Sequence, residues 1–150
     1  MKIIQAGLKN LESLLPLFEG YRKFYKQSPK PEKAHIFLSE RLKKNDSIIF
    51  MAFSEDEKAI GFTQLYPTFS SVTMQGTYIL NDLYVVSEMR GEKIGEALMN
   101  HAKRFAIENN SKGLTLETSI DNPAQKLYEK LGWEKDTNVL HYTWKNNQIE

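Results

Sequence analysis

The chain has 150 residues, 41% of them hydrophobic, which is the size of one domain with a sizeable core, and no second domain is expected. Twenty basic residues against nineteen acidic ones give a formal charge of +1, which argues against a nucleic acid or an anionic membrane as the main partner. With no cysteine, disulfides and thiolate chemistry are excluded. The opening Met1-Lys-Ile-Ile-Gln-Ala-Gly7 lacks the apolar stretch of a signal peptide, and no run approaches the roughly 20 apolar residues of a membrane span, so a soluble, cytoplasmic protein is expected.

Lys2 to Ala6 reads as a short first strand. A helix capped near Asn10 follows, with Leu11, Leu14, Leu15, Phe18, Tyr21, Arg22 and Tyr25 along one side and an expected kink at Pro16. Ser28-Pro-Lys-Pro31 breaks the pattern, and Glu32 to Lys44 resumes helical spacing. Ser47 to Phe53 and Ala59 to Tyr66 are strand-like runs joined by the polar Ser54-Glu-Asp-Glu-Lys58, which predicts an antiparallel pair. A looser segment, Pro67 to Thr73, leads into a long strand ending near Val86. Ile94, Ala97, Leu98, Ala102 and Phe105 then share one face of a helix that Gly113 is expected to close. Leu114, Leu116 and Thr118 alternate as in a strand. A further helix is predicted with Asn122 as N-cap, Pro123 at its first position and Gln125 at its third, close to a capping box. Val139 to Trp144 closes the chain as a last alternating strand. This order of elements predicts an α/β fold, a mixed sheet with helices on both faces.

The organising stretch is Leu80 to Met99, a strand, a turn and a helix. In Arg90-Gly91-Glu92-Lys93-Ile94-Gly95, residues with little or no side chain fall where the chain turns into the helix. Several unpaired backbone N–H groups can converge there. The helix dipole, with Arg90 and Lys93 beside it, suits a pyrophosphate. Neither the dinucleotide fingerprint nor the P-loop pattern fits. Taken alone, the hexapeptide also reads as an ordinary strand-to-helix turn.

In context it resembles the coenzyme A loop of the GNAT superfamily of N-acetyltransferases, whose usual form is Q/R-x-x-G-x-G/A. Arg90 and Gly95 match its ends, while Lys93 stands at the middle glycine. The same family continues with N-x-x-A-x-x-L-Y-x-x-x-G-F/W/Y, and this chain offers Ala124-Gln-Lys-Leu127-Tyr128-Glu-Lys-Leu-Gly132-Trp133. Asp121 occupies the usual asparagine position and Asn122 follows it. The specific part of the resemblance covers Leu80 to Trp144, and the N-terminal half agrees in element order.

The resemblance implies a single GNAT domain, a mostly antiparallel central sheet splayed at its central strands, with acetyl-coenzyme A as acetyl donor and coenzyme A as product. The cofactor would be met by Leu83, Tyr84 and Val85 at the splay, by Arg90, Gly91, Glu92, Lys93, Ile94, Gly95 and Glu96 in the loop, and by Asn122 and Tyr128. Tyr128 matches the family tyrosine that protonates the leaving thiolate, and it also reads as a core residue of the Ala124, Leu127, Leu131 stripe. The acceptor site lies under the first helices in this family, which makes Tyr21 and Tyr25, with Phe37, candidate lining residues and Asn81 a substrate contact. Asn81 replaces a glutamate that some relatives carry, so it cannot take a proton.

Acetyl transfer to an amine needs a deprotonated amine, a polarised thioester carbonyl and a stabilised thiolate. Without cysteine or a G-x-S-x-G elbow, direct attack by the amine is favoured over a covalent enzyme intermediate. Asp82 and Glu117 are the candidate bases, directly or through water, and His141 is a weaker one. No His/Cys/Asp cluster shows metal-ligand spacing, so no metal is expected. The expected acceptor is a primary amine of a small molecule, such as a polyamine or amino acid, or of a peptide. The alternative from another class is a coenzyme A-binding regulatory domain without turnover. Whether two chains pair as a homodimer is open at this level.

Overall fold

The structure, a computed structural model, describes residues 1–149. Its contacts divide the chain into two compact units, Met1–Glu117 and the remainder from Thr118 onward.

In the first unit the elements run β1 (Lys2–Gln5), α1 (Leu11–Phe24), α2 (Pro31–Lys44), β2 (Ile48–Phe53), β3 (Ala59–Ser70), β4 (Gln75–Val85), α3 (Ile94–Glu108) and β5 (Leu114–Thr115). Short 3-10 turns precede α1 and follow β4. Among the described residues one sheet forms in the order β1-β2-β3-β4-β5, antiparallel except for the parallel β4–β5 pair. The fold is therefore α/β with a mostly antiparallel sheet.

Side-chain alternation divides the core between the two faces of the sheet. Ile49 and Met51 of β2 and Phe62 of β3 pack with Leu11, Leu14, Leu17 and Phe18 of α1 and Ala34 and Leu38 of α2. Phe50, between two of those strand residues, points the other way, its ring 4.5 Å from His101 and 5.4 Å from Phe105 of α3. Helices thus cover both faces. Gly61 lets α3 come close: a Cβ there would lie 2.9 Å from the Tyr84 carbonyl oxygen and 3.3 Å from Leu98 Cδ1. That approach brings the start of α3 to the end of β4.

Two sequence expectations shift here. Pro67 to Ser70 belongs to β3 rather than to a loose segment, pairing with Tyr78 to Gln75 of β4. β2 reaches only Leu65 of β3, so the imide nitrogen of Pro67, which by alternation faces that side, lacks a donor where no strand asks for one. Pro16 lies inside one assigned helix, α1.

In the second unit α4 spans Gln125–Lys130. Asn122 is not its N-cap; Ala124 is, and Asn122 Oδ1 accepts the Ala124 N–H at 2.9 Å one turn earlier. Gln125 Nε2 donates to the carbonyls of Ile120, at 2.6 Å, and Asn122, so the capping box is not made. Val139 to Trp144 is not assigned as a strand, and Leu140, Tyr142 and Trp144 are exposed. Alternation alone cannot make a strand: its N–H and C=O groups need a ladder partner, and none is paired to it among the described residues.

Candidate active site

β4 carries the site because its two edges are paired unequally. β3 follows it from Gln75 to Val85, whereas β5 pairs with it at Tyr78 and Ile79 alone. Among the described residues no strand pairs with Leu80 to Val85 on the β5 side, which leaves that edge of β4 open to a ladder partner. The Val86 N–H donates to the Ile60 carbonyl at 3.0 Å, and this sets the phase of the ladder. Tyr84 and Asp82 direct their backbone groups at β3, while Leu83 and Val85 direct theirs at the open edge. The Arg90 Nε–H donates to the Val85 carbonyl at 3.1 Å, and its guanidinium lies 5.7 Å from the Phe24 ring centre and 5.8 Å from that of Tyr84.

The loop beyond β4 turns through two left-handed residues. Gly91 has φ +87°, which explains glycine there, and Lys93, the residue before α3, has φ +62° and ψ +23°. A side chain at such angles costs about 1–2 kcal/mol, so the glycine usual in the resembled pattern answers a backbone demand that Lys93 meets under strain. No side chain caps α3. The Ala97 N–H reaches the Lys93 carbonyl at 3.1 Å, the first turn of the α3 ladder, and the N–H groups of Ile94 and Gly95 lie ahead of it at the helix start. A Cβ on Gly95 would meet only Val85 Cγ2, at 3.9 Å, leaving room beside these donors. A helix N-terminus with no side-chain cap, and two flanking cations, fit a pyrophosphate.

Of the residues expected to meet a cofactor, Leu83, Val85, Arg90, Gly91, Glu92, Lys93, Gly95 and Glu96 gather along this edge and loop. Ile94 is there only by its backbone, and Tyr84 turns its backbone groups to β3 instead. Ile94 is buried, and the Tyr84 ring lies against α1, where a Cβ on Gly20 would come within 2.5 Å of its hydroxyl.

The opposite face of the sheet holds the polar candidates. Asn81 is an extra residue in β4, because Asp82 pairs with Gln64 and Leu80 with Leu65. The bulge frees the Asn81 carbonyl, which accepts the Tyr21 hydroxyl at 3.1 Å. The Tyr21 ring is 5.0 Å from that of Tyr25 and 6.0 Å from that of Phe62. Tyr21, Tyr25 and Asn81 are thus brought together. Phe37 is not with them: it stacks on Phe18 at 5.8 Å and carries the Arg41 guanidinium on its face, so it belongs to the core.

Asp82 is 2% exposed. Its Oδ2 accepts from Gln64 Nε2 at 2.7 Å and its Oδ1 from Asn81 Nδ2 at 2.7 Å. Burial pushes its carboxyl above the usual carboxylate range, and these two amide bonds pull back toward it. The Tyr66 hydroxyl is pushed up as well, by burial and then by the Asp82 charge. Glu117 is exposed, two residues beyond the end of the β5 ladder.

In the second unit the Tyr128 ring centre lies 6.4 Å from that of Trp133. Asn122 uses both ends of its amide locally, Oδ1 on the Ala124 N–H and Nδ2 on Thr118 Oγ1 at 2.8 Å. Gln64 is the residue that sequence reasoning missed. Its signal was a polar residue at an inward position, between Phe62 and Tyr66 on a strand of buried residues. Among the described residues no group of three or more His, Asp or Glu could hold a metal ion, and no helix is long and apolar enough to cross a membrane.

The chain is similar to known acetyltransferases in sequence and in fold. The model of the acetyltransferase (GNAT) family matches residues 11–133. The chain is 46% identical over 143 residues to the uncharacterized N-acetyltransferase YhfO of Bacillus subtilis, covering 95% of each. It is 37% identical over 141 residues to a protein of Haemophilus influenzae named a probable acetyltransferase, covering 86% of this chain and 97% of that one. A crystal structure of a probable acetyltransferase superposes with a TM-score of 0.93 at 40% identity, covering 98% of this chain and 99% of the other. The ribosomal-protein-alanine N-acetyltransferase of Brucella melitensis, at 20% identity and a TM-score of 0.77, shares the fold. These matches identify the chain as a member of the GNAT acetyltransferase family, an acyltransferase that carries out acetyl transfer.

Proposed function

We propose that the protein transfers an acetyl group from acetyl-coenzyme A to a primary amine of a small molecule or a peptide, by direct attack of the amine. The observation that carries this reading is the juxtaposition along β4: an open edge and an uncapped helix N-terminus at one end, and a buried carboxylate beside a bulge that α1 covers at the other. The N–H groups of Gly95 and Glu96, with Arg90 and Lys93, would hold the pyrophosphate. The backbone of Leu83 and Val85 would align the pantetheine arm and polarise the acyl carbonyl. Acetyl-coenzyme A supplies an acyl group activated as a thioester.

Tyr21, Tyr25 and Asn81 line the acceptor side. Asp82 takes the proton that the attacking nitrogen loses, through a bridging water because its carboxylate is buried. Its burial between two amide donors favours that role over the exposed Glu117. Tyr128 gives its hydroxyl proton to the departing thiolate, a role supported by its place in the Ala124 to Trp133 motif, and Asn122 contacts the pantetheine arm by the same motif. Both units are read as one GNAT domain, supported by a family match that runs across their boundary. A reducing, cytoplasmic setting is read from the cysteine-free composition.

The test is purified protein with acetyl-coenzyme A and a panel of polyamines, amino acids and short peptides, followed by thiol release and product mass. Thiol release that requires an amine, with an acetylated product, supports the proposal. Tight cofactor binding with no turnover across the panel would replace it with a coenzyme A-binding regulatory domain.

A further inference from the structure

We infer that Gln64 is a positioning residue for Asp82, fixing the orientation and the protonation of the carboxylate that accepts the amine's proton. The inference rests on the proposed role of Asp82. Gln64 lies directly opposite Asp82 in the β3–β4 register and is fully buried. Its Nε2 donates to Asp82 Oδ2 at 2.7 Å, and its neighbour Thr63 donates its hydroxyl to the Asp82 main-chain carbonyl at 2.8 Å. β3 therefore grips Asp82 at both ends.

Gln64 Oε1 is buried with no hydrogen-bond partner among the described residues. A glutamine kept only for packing would be expected to satisfy both ends or be replaced by an apolar residue, since a buried unpaired carbonyl is unfavourable. Here the N–H end is committed to the carboxylate and the carbonyl end is left over. Turning the amide by half a revolution would let Oε1 accept an O–H from Asp82 once it is protonated, so one side chain serves both protonation states.

No cation competes for this role in the bonds Asp82 makes: both its donors, Asn81 and Gln64, are neutral amides. Ionisable groups on this face include Tyr66 of β3, Tyr84 of β4 and Tyr21 of α1, which is bonded to the Asn81 carbonyl and lies 5.0 Å, ring to ring, from Tyr25. From α2 comes Arg41, paired with Asp46 at 2.8 Å. Neutral donors leave the carboxylate with a higher proton affinity than an ion pair would, which suits a base that must also release its proton.

The experiment is the pH titration of aspartate carboxyl carbons labelled with ¹³C, read by NMR in the full chain. The Asp82 signal is assigned as the one lost in Asp82→Asn. In Gln64→Leu, and in Gln64→Met should the leucine variant not fold, the Asp82 midpoint should move to higher pH by about one unit or more, the size of one hydrogen bond to a charged group. The acidic limb of kcat, measured with acetyl-coenzyme A and the most active amine of the panel, should move with it. A uniform fall in kcat at every pH with an unmoved limb and an unmoved carboxyl midpoint would make Gln64 merely structural and overturn the inference. Wild-type kcat in Asp82→Asn would overturn instead the reading on which it rests, while the carboxyl titration still reports whether Gln64 controls Asp82.

Discussion

Replacing Lys93 by glycine and, separately, by alanine divides what its backbone does from what its charge does. Lys93 holds φ +62° and ψ +23° with an exposed side chain, so it contributes strain and little packing. Relieving a left-handed residue of its Cβ gains about 1–2 kcal/mol, and the extra freedom of glycine in the unfolded chain returns about 0.5–1 kcal/mol. The net gain for Lys93→Gly is about 0.5–1 kcal/mol, and for a domain of this size each kcal/mol moves Tm by about 2–4 °C. Lys93→Gly should therefore melt a few degrees higher than wild type. Lys93→Ala keeps the strain and should melt close to wild type. Both variants lose the ammonium, so a loss of acetyl-coenzyme A affinity common to both, about five-fold at low salt and shrinking as salt rises, would measure its contact with a phosphate. Differential scanning calorimetry and titration calorimetry read the two effects separately. Equal melting temperatures for the glycine and alanine variants would refute the strain argument, and unchanged affinity in both would leave Lys93 facing solvent.

Gly95→Leu should fold, because a Cβ there meets only Val85 Cγ2 at 3.9 Å, yet it should lose acetyl-coenzyme A binding as its side chain fills the space beside the α3 N–H groups; calorimetry showing wild-type affinity in the folded variant would exclude that loop as the cofactor site. Tyr128→Phe should lower kcat by about 10²–10⁴-fold with cofactor affinity nearly unchanged, and a kcat within ten-fold of wild type, where chemistry limits the rate, would return Tyr128 to a structural role. Asp82→Asn should raise Tm at neutral pH. The folded-state proton affinity of Asp82 exceeds its unfolded value, so the ionised carboxylate costs stability above the folded pKa, and the cost fades as pH falls through that range toward the unfolded value of 3.8. A Tm difference that stays constant as the buffer is made acidic would contradict the direction of that shift.

How far the sequence carries depends on whether an element is specified locally or by a neighbour. The helices α1, α2 and α3 are legible because their apolar spacing is local, and so is the strand, turn and helix from Leu80 to Met99, because glycines mark it. The strand expected through Leu114 to Thr118 ends at Thr115, since its length is set by where β4 parts from it. Val139 to Trp144 alternates convincingly and still carries no ladder. Pro67 suggested a break, but a proline is harmless where the adjoining strand has ended, and that ending is not written in the residues around it. At the site, Lys93 stands at the resembled family's glycine position, and its left-handed angle is set by the turn into α3, which its residue type does not signal. Asp82 was identified as a candidate, but its burial and its hold by Gln64 depend on the register of two strands and on the extra residue at Asn81.

The most direct measurement of the central claim uses acetyl-coenzyme A carrying isotopic label in its acetyl group, incubated with stoichiometric protein and followed by intact-mass analysis, first without and then with an active amine. Direct attack predicts that the protein mass stays unlabelled in both, and that the label appears on the amine nitrogen, with free thiol, only when amine is present. Label accumulating on the protein before amine is added, and then passing to the amine, would contradict it.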